Sequence, residues 1–136
     1  MIDTMIEQQI ITLLRTKAKA DFIILFGSHA KGTARADSDI DLAYFSHDTM
    51  SPYDRFLLAG EIAALTNCEV DLVNIREIDT VLTMEIFAYG KPIDIQNENE
   101  YIRQKMRAYS MYATLNEQRA GIITAIKERG SVFGYE

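Results

Sequence analysis

The sequence is poor in several features that define other classes of protein. Cys68 is the only cysteine among 136 residues, which excludes an intramolecular disulfide and a thiolate metal cluster. We expect its thiol to be buried or half-buried. No stretch approaches the roughly 20 apolar residues of a membrane-spanning helix. The first ten residues, MIDTMIEQQI, lack the positive charge and the unbroken apolar run of a signal peptide, so we expect a cytoplasmic protein.

Positive charge is also scarce. The 14 Lys and Arg residues are outnumbered by 20 Asp and Glu residues, which gives a formal net charge of -6. Binding to nucleic-acid backbones depends on neutralising phosphates with basic side chains, so we expect no direct nucleic-acid binding.

What is present is typical of a folded globular chain, with 48% hydrophobic and 25% charged residues. The length predicts a single domain over residues 1–136. It leaves little room for a separate acceptor-recognition domain beside a catalytic unit, so we expect a partner to supply any acceptor.

Hydrophobic patterns predict an α/β protein with a long C-terminal helix. Short apolar runs rich in β-branched and aromatic residues predict strands over residues 22–26, 39–45 and 69–75, followed later by an extended piece, PIDIQ. Helical spacing predicts helices over residues 3–17, from Pro52 to about Thr66, over a short segment ending near Gly90, and over residues 97–129.

Several details of these helices are specific enough to test. Thr4 and Glu7 predict a capping box at the first helix, and Ser51 predicts an N-cap for the second. We expect Gly121 to interrupt the long helix, whose apolar positions exceed one stripe and could contact both the sheet and a partner. The tail SVFGYE is expected to be frayed or bound to a partner. An apolar stripe is predicted along the second helix at Phe56, Leu57, Ala59, Ile62, Ala63 and Leu65.

A glycine-serine pair, Gly27 and Ser28, directly follows the first predicted strand. A glycine lets a phosphate approach the backbone, and the hydroxyl and N–H of a serine can donate hydrogen bonds to phosphate oxygens. An ordinary strand-ending turn would have the same sequence, so the pair indicates a phosphate site only in combination with other residues.

Two aspartates, Asp39 and Asp41, lie two residues apart on the second predicted strand and therefore project to the same face. Their charges repel each other unless a cation neutralises them, and hard carboxylate oxygens suit Mg²⁺. A solvated edge strand is the alternative, although the apolar residues of DIDLAYF favour a strand inside the sheet.

A third acid, Asp71, lies within the apolar strand EVDLVNI. If this strand neighbours that of Asp39 and Asp41, the three carboxylates form one metal cluster, and Asp71 would help to remove the proton of an acceptor hydroxyl. The alternative is a strand residue that faces solvent. Lys31 and Arg35 could place a cation against a triphosphate or simply be solvated. His29 and His47 have no matching ligand set, so we assign them no catalytic or metal-binding role.

The spacing of these residues resembles a known family. Gly27-Ser28, ten intervening residues and Asp39-Ile40-Asp41 resemble the GS-x10-DxD signature of the polymerase-beta-type nucleotidyltransferases. The stretch GSHAKGTARADSDIDLA is similar to that of the minimal nucleotidyltransferase (MNT) antitoxins, and Asp71 lies where the family has its third carboxylate. Lys31 departs from the arginine of many relatives.

The resemblance implies a nucleotidyltransferase fold, a small mixed β-sheet flanked by helices, with a catalytic core over about residues 20–96 and a C-terminal helix over about residues 97–129. It implies that Mg²⁺, or Mn²⁺, binds Asp39, Asp41 and Asp71, and that ATP binds near Gly27, Ser28 and Lys31.

The implied activity is transfer of AMP from ATP to a tyrosine of a cognate HEPN ribonuclease toxin, which silences the toxin within a complex of the two proteins. The alternatives are nucleotidyl transfer to a small molecule or an RNA end, and a non-catalytic antitoxin that acts by binding only.

Overall fold

The computed structural model describes residues 2–35 and 38–128. The strands are β1 (Phe22–Phe26), β2 (Ile40–Phe45), β3 (Val70–Asn74) and β4 (Lys91–Ile95). The helices are α1 (Thr4–Lys17), α2 (Ser28–Lys31), α3 (Pro52–Thr66), α4 (Thr80–Tyr89) and α5 (Glu98–Glu128), with a 3-10 turn at Ile75–Glu77.

The four strands form one mixed sheet in the order β3-β2-β1-β4. Strand β1 runs antiparallel to both β2 and β4, whereas β2 and β3 are parallel and are connected through α3. The prediction of a small mixed sheet flanked by helices and followed by a long C-terminal helix is confirmed.

Helices cover both faces of the sheet and create two cores. The first core lies between the sheet and α1 and α3, and it contains Leu14, Leu42 and Ile62. The second core lies between the sheet and α4 and α5, and it contains Phe22, Phe45 and further buried side chains of both helices. Alternate residues of β1 and β2 enter opposite cores, as the period of a strand requires.

Helix α1 has the predicted extent but a different N-cap. The side chain of Asp3 accepts a hydrogen bond of 2.8 Å from the backbone N–H of Ile6, and Thr4 is already the first helical residue. The predicted Thr4–Glu7 capping box is therefore wrong, because the helix begins at Thr4, one residue earlier than that motif requires. The Ser51 cap of α3 is confirmed.

The predicted apolar stripe of α3 is only partly buried. Leu58 and Ile62 enter the first core, whereas Phe56 is 74% exposed and Leu57 is 46% exposed. The buried face of α3 therefore differs from the predicted one. It includes Leu58, which is not part of the predicted stripe, and it excludes Phe56, which is part of it.

Helix α5 is a single helix of 31 residues and continues through Gly121, so the predicted interruption there is wrong. Its first turns pack mainly against α4, and Ala108 is its last buried residue. The segment beyond is largely exposed, including Ile122 and Ile123. Arg129 and the SVFGYE tail lie outside the described residues. Among the described helices, none combines the length and hydrophobicity needed to span a bilayer.

Candidate functional site

The site is built at the end of β1, where the chain leaves the sheet through Gly27. Gly27 has φ +72°, a left-handed conformation that is unfavourable for residues with a side chain. Ser28 then begins the short helix α2, which ends at Gly32, also with φ +72°. The predicted pair thus forms the turn between a buried strand and a single helical turn.

The strand register places three side chains in one row across the sheet. Phe26 is the Cα partner of Asp41, and Asp41 is the Cα partner of Asp71. Since directly paired residues project to the same face, both aspartates lie on the face of the second core, together with Ala43 and Phe45. Asp41 is half-buried. The strand of Asp71 is therefore the neighbour of the strand of Asp41, which is what a cluster of the three carboxylates requires.

Gly27 and Asp41 are in close contact. A side chain at Gly27 would collide with the Asp41 carboxylate, because an added Cβ would overlap Oδ2 and lie 3.2 Å from Cγ. Only glycine therefore leaves this carboxylate and the adjoining backbone accessible from the same side. The two halves of the signature meet directly in the fold.

Three negative charges act on one another at this end of the sheet. The pKa of the Asp41 carboxyl is raised above its ordinary value, first by burial and then by the charges of Asp71 and Asp39. His29 partly offsets this shift by lowering the pKa. The arrangement therefore stores repulsion that a bound cation would relieve.

The carboxylates do not form a ready-made metal cage. Among residues 2–35 and 38–128, no group of three or more His, Cys, Asp and Glu side chains is arranged so that it could hold a metal ion. Asp39 lies just before β2 and is exposed, as is Asp71. The roles predicted for Asp39, Asp41 and Asp71 thus stay predictions.

The basic residues of the signature lie around α2. Lys31 is its exposed last residue, and Arg35 is exposed in the following segment, where its N–H donates to the hydroxyl of Ser38 at 2.7 Å. The ring of His29 lies 3.2 Å from the carbonyl oxygen of Ser38 and so ties α2 to the segment before β2. Sequence reasoning treated His29 as isolated and missed its proximity to Asp41.

This arrangement is suited to a polyphosphate bound through a cation. The half-buried Gly27-Ser28 turn lies beside the Asp41 carboxylate, and exposed Lys31 follows at the end of α2. Phosphate oxygens can accept hydrogen bonds from the N–H groups and the hydroxyl of the turn, and they can share a metal ion with the carboxylates.

Most of the chain is similar in sequence and structure to known proteins. Over 119 residues the chain is 38% identical to the protein adenylyltransferase MntA of Shewanella oneidensis, which covers 86% of this chain and 84% of that protein. A crystal structure of a toxin-antitoxin with AMP-PNP has a TM-score of 0.77 at 34% identity, covering 89% of this chain and 98% of the other.

A tri-AMPylated Shewanella oneidensis HEPN toxin in complex with MNT antitoxin is another similar structure. It has a TM-score of 0.75 at 31% identity and covers 93% of this chain and 99% of that one. Residues 8–99 match the family described as Polymerase beta, Nucleotidyltransferase. That match spans more than half of the chain, so the chain belongs to the polymerase beta nucleotidyltransferase family.

Proposed function

We propose that this protein is a protein adenylyltransferase antitoxin, which transfers AMP from ATP to a tyrosine hydroxyl of a cognate HEPN toxin and thereby neutralises it. The observation that carries the proposal is the contact of Gly27 with Asp41, in register with Asp71, in a chain 38% identical to a protein adenylyltransferase. The similarity to a toxin-antitoxin with AMP-PNP supports ATP as the substrate.

The Gly27-Ser28 turn would bind the terminal phosphates. The backbone N–H groups and the Ser28 hydroxyl would donate hydrogen bonds to phosphate oxygens. Gly27 leaves the space that the Asp41 carboxylate needs beside this turn. Lys31 would approach the triphosphate from the end of α2 and offset its negative charge. These contacts hold the α-phosphorus beside Asp41.

We propose Mg²⁺, or Mn²⁺ in its place, as the metal, held by Asp39, Asp41 and Asp71. Carboxylate oxygens are hard ligands that suit these cations. The pKa of Asp41 is raised first by burial and then by the charges of Asp71 and Asp39, and a bound cation would offset both effects. Mg²⁺ usually takes one or two carboxylates and completes its shell with phosphates and water, so it needs no ready-made cage. When bound, the metal supplies stabilisation of negative charge on the attacking and leaving oxygens.

Asp71 is the residue best placed to receive a proton. It is exposed beside half-buried Asp41, on the outer strand of the row. As the tyrosine oxygen attacks the α-phosphorus, Asp71 accepts the phenolic proton, the bond to the β-phosphate breaks and pyrophosphate leaves. The product is a tyrosine carrying AMP through a phosphodiester bond.

We propose that the partner protein supplies the acceptor hydroxyl. We propose one domain over residues 1–136, in which about residues 20–96 form the catalytic core and the helix of about residues 97–129 is free to contact the toxin. The exposed distal half of α5 supports this division.

Intact-mass spectrometry of the neighbouring toxin, incubated with this protein, ATP and Mg²⁺, tests the proposal. We expect the toxin to gain the mass of one AMP per event and Asp41→Asn to abolish the gain. Asp48→Asn is the matched control, because Asp48 is 60% exposed and pairs with Lys19 away from the row. Unchanged toxin mass with the wild-type protein, together with continued neutralisation by a variant lacking Asp39 and Asp41, would instead support binding alone.

The same assay tests the metal. We expect transfer to stop in excess chelator and to resume when Mg²⁺ or Mn²⁺ is added in excess of the chelator. Full activity in excess chelator would rule out a role for a metal ion held by the aspartates. Other residues would then have to account for nucleotidyl transfer.

A further inference from the structure

Tyr89 is a large aromatic residue left in solvent at the last position of α4. Its side chain is 70% exposed. Leu82 and Ile86, seven and three residues earlier, lie within about 60° of it around the helix and pack in the second core. Tyr89 therefore continues the stripe of α4 that faces the second core, although its own side chain lies in solvent.

The sheet beneath this helix end carries the carboxylate row. A Cβ at Gly90 would lie 3.2 Å from the carbonyl oxygen of Leu25 and would also meet the Ile24 side chain, so the end of α4 lies against β1 as the chain enters β4. The next residue of β1, Phe26, is the Cα partner of Asp41. Tyr89 thus stands at the same end and on the same face of the sheet as Asp41.

The α-phosphorus of a bound nucleotide would lie on the face of the second core. Asp41, beside which we place it, projects to that face between Phe26 on β1 and Asp71 on β3. Since the acceptor hydroxyl is proposed to lie beside Asp71, the nucleoside extends to the other side of Asp41, over Phe26. That direction leads the base to the end of α4.

We infer that Tyr89 is the stacking wall of the adenine subsite, an inference that rests on the proposed function and names how its nucleotide is held. Half-buried Phe26, beside Asp41 on the same face, would provide an apolar floor under the nucleoside. Stacking on a tyrosine uses the π-face that every base has, so Tyr89 contributes affinity rather than selection of ATP over GTP.

Binding measurements on the full chain with Mg²⁺ test this assignment, with AMP-PNP and inorganic tripolyphosphate as probes. We expect Tyr89→Ala to weaken AMP-PNP about ten-fold, the range of base-aromatic stacking, and to leave tripolyphosphate unchanged because that probe has no base. Tyr89→Trp restores stacking and should bind AMP-PNP as tightly as the wild type.

Tyr53→Ala is the matched control, because Tyr53 is 68% exposed but lies on α3, which packs on the first core. Unchanged AMP-PNP affinity in Tyr89→Ala, an equal loss for both probes, or failure of Tyr89→Trp to restore binding would overturn the assignment. A wild-type protein that binds neither probe would instead reject the proposed function, so the two failures are distinguishable.

Discussion

Gly27 and Gly32 both have φ +72°, but they differ in ψ, which is -151° at Gly27 and 15° at Gly32, and in their surroundings. A Cβ at Gly27 would collide with the Asp41 carboxylate, whereas nothing lies within 4 Å of the same atom at Gly32. The two glycines therefore allow backbone strain to be separated from access to the carboxylate.

We expect Gly27→Ala to abolish adenylyl transfer and Gly32→Ala to retain most of it. Gly32→Ala should lose about 1–2 kcal/mol of unfolding free energy, because the left-handed conformation costs an L-residue that much. Gly27→Ala should lose more, because its added Cβ also collides with the Asp41 carboxylate. Urea unfolding measures the two losses, and the toxin-mass assay measures transfer by the folded variants. Equal transfer rates in the two variants would show that the space above Asp41 is not needed.

The acids of the site could be singled out from sequence, but their arrangement could not. Alternation along a strand places Asp39 and Asp41 on one face without knowledge of the fold. The pairing of Asp41 with Asp71 depends on which strands become neighbours, which is a tertiary choice that local pattern does not encode. The proximity of His29 to Asp41 was missed because it follows from the turn at Gly27.

At the scale of a single element, the start of α1 offers a direct test of its cap. We expect Asp3→Ala to destabilise the protein by about 1 kcal/mol, since the Ile6 N–H loses its acceptor. Thr4→Ala should cost almost nothing, because Thr4 is helical and alanine has the higher helix propensity. Thermal or urea unfolding of both variants checks this, and a larger loss for Thr4→Ala would restore the capping-box interpretation.

Helix α5 is anchored through Glu100, one of the few buried charged residues. Its carboxylate accepts hydrogen bonds from Arg103 and from Gln104 at 3.1 Å, and it lies 3.2 Å from the ring nitrogen of His47. Burial raises the pKa of Glu100, but the hydrogen bonds of Gln104 and Arg103 and the charges of Arg103 and His47 outweigh it, so the net pKa is lowered. This cluster connects the end of β2 to the first turn of α5.

A lowered pKa makes the anchor sensitive to acid. Its stabilisation is complete above the ordinary value of 4.5 and is lost as the pH falls through the lower folded-state pKa. We expect Glu100→Gln to cost about 1–2 kcal/mol at pH 7 and to reduce the loss of stability on acidification. Urea unfolding at pH 7, 5 and 3.5 measures both effects. Glu98→Gln, an exposed change in the same turn, is the control, and an identical pH profile in the two variants would contradict the anchor.

The helices show where hydrophobic pattern is sufficient and where it is not. The limits of α3 were predicted from Ser51, Pro52 and Thr66, because caps and proline act locally. The buried face of α3 could not be predicted in the same way, because the helix has apolar residues on more than one side. Only contact with β3 and α1 decides that Leu58 is buried and Phe56 is not. A helix with a single narrow apolar stripe would have only one face that could be buried.

At the scale of the whole molecule, α5 is about 46 Å long, longer than its contact with the domain requires. Packing ends near Ala108, so the distal turns depend on helix propensity alone in the isolated protein. We expect backbone amides beyond Met111 to exchange rapidly with deuterium and those around Ala108 to be protected. Addition of the toxin should protect the distal amides, whereas strong protection without a partner would contradict this description.

The class of fold was predictable, but its assembly was not. Apolar runs located β1 at residues 22–26 and the other strands to within one residue, because buried strands have distinctive composition. The order β3-β2-β1-β4 involves residues far apart in sequence, so no local pattern predicts it, and the resemblance implied only a small mixed sheet.

The row of Phe26, Asp41 and Asp71 also restricts how the length of this chain can change. One residue inserted between Ile40 and Asp41, or between Val70 and Asp71, would turn a carboxylate to the opposite face of the sheet. Two inserted residues would restore the face but shift the carboxylate about 7 Å along the strand. We therefore expect no viable insertions or deletions in the parts of β2 and β3 that precede these aspartates. Viable changes of length should instead accumulate in the connections outside the sheet.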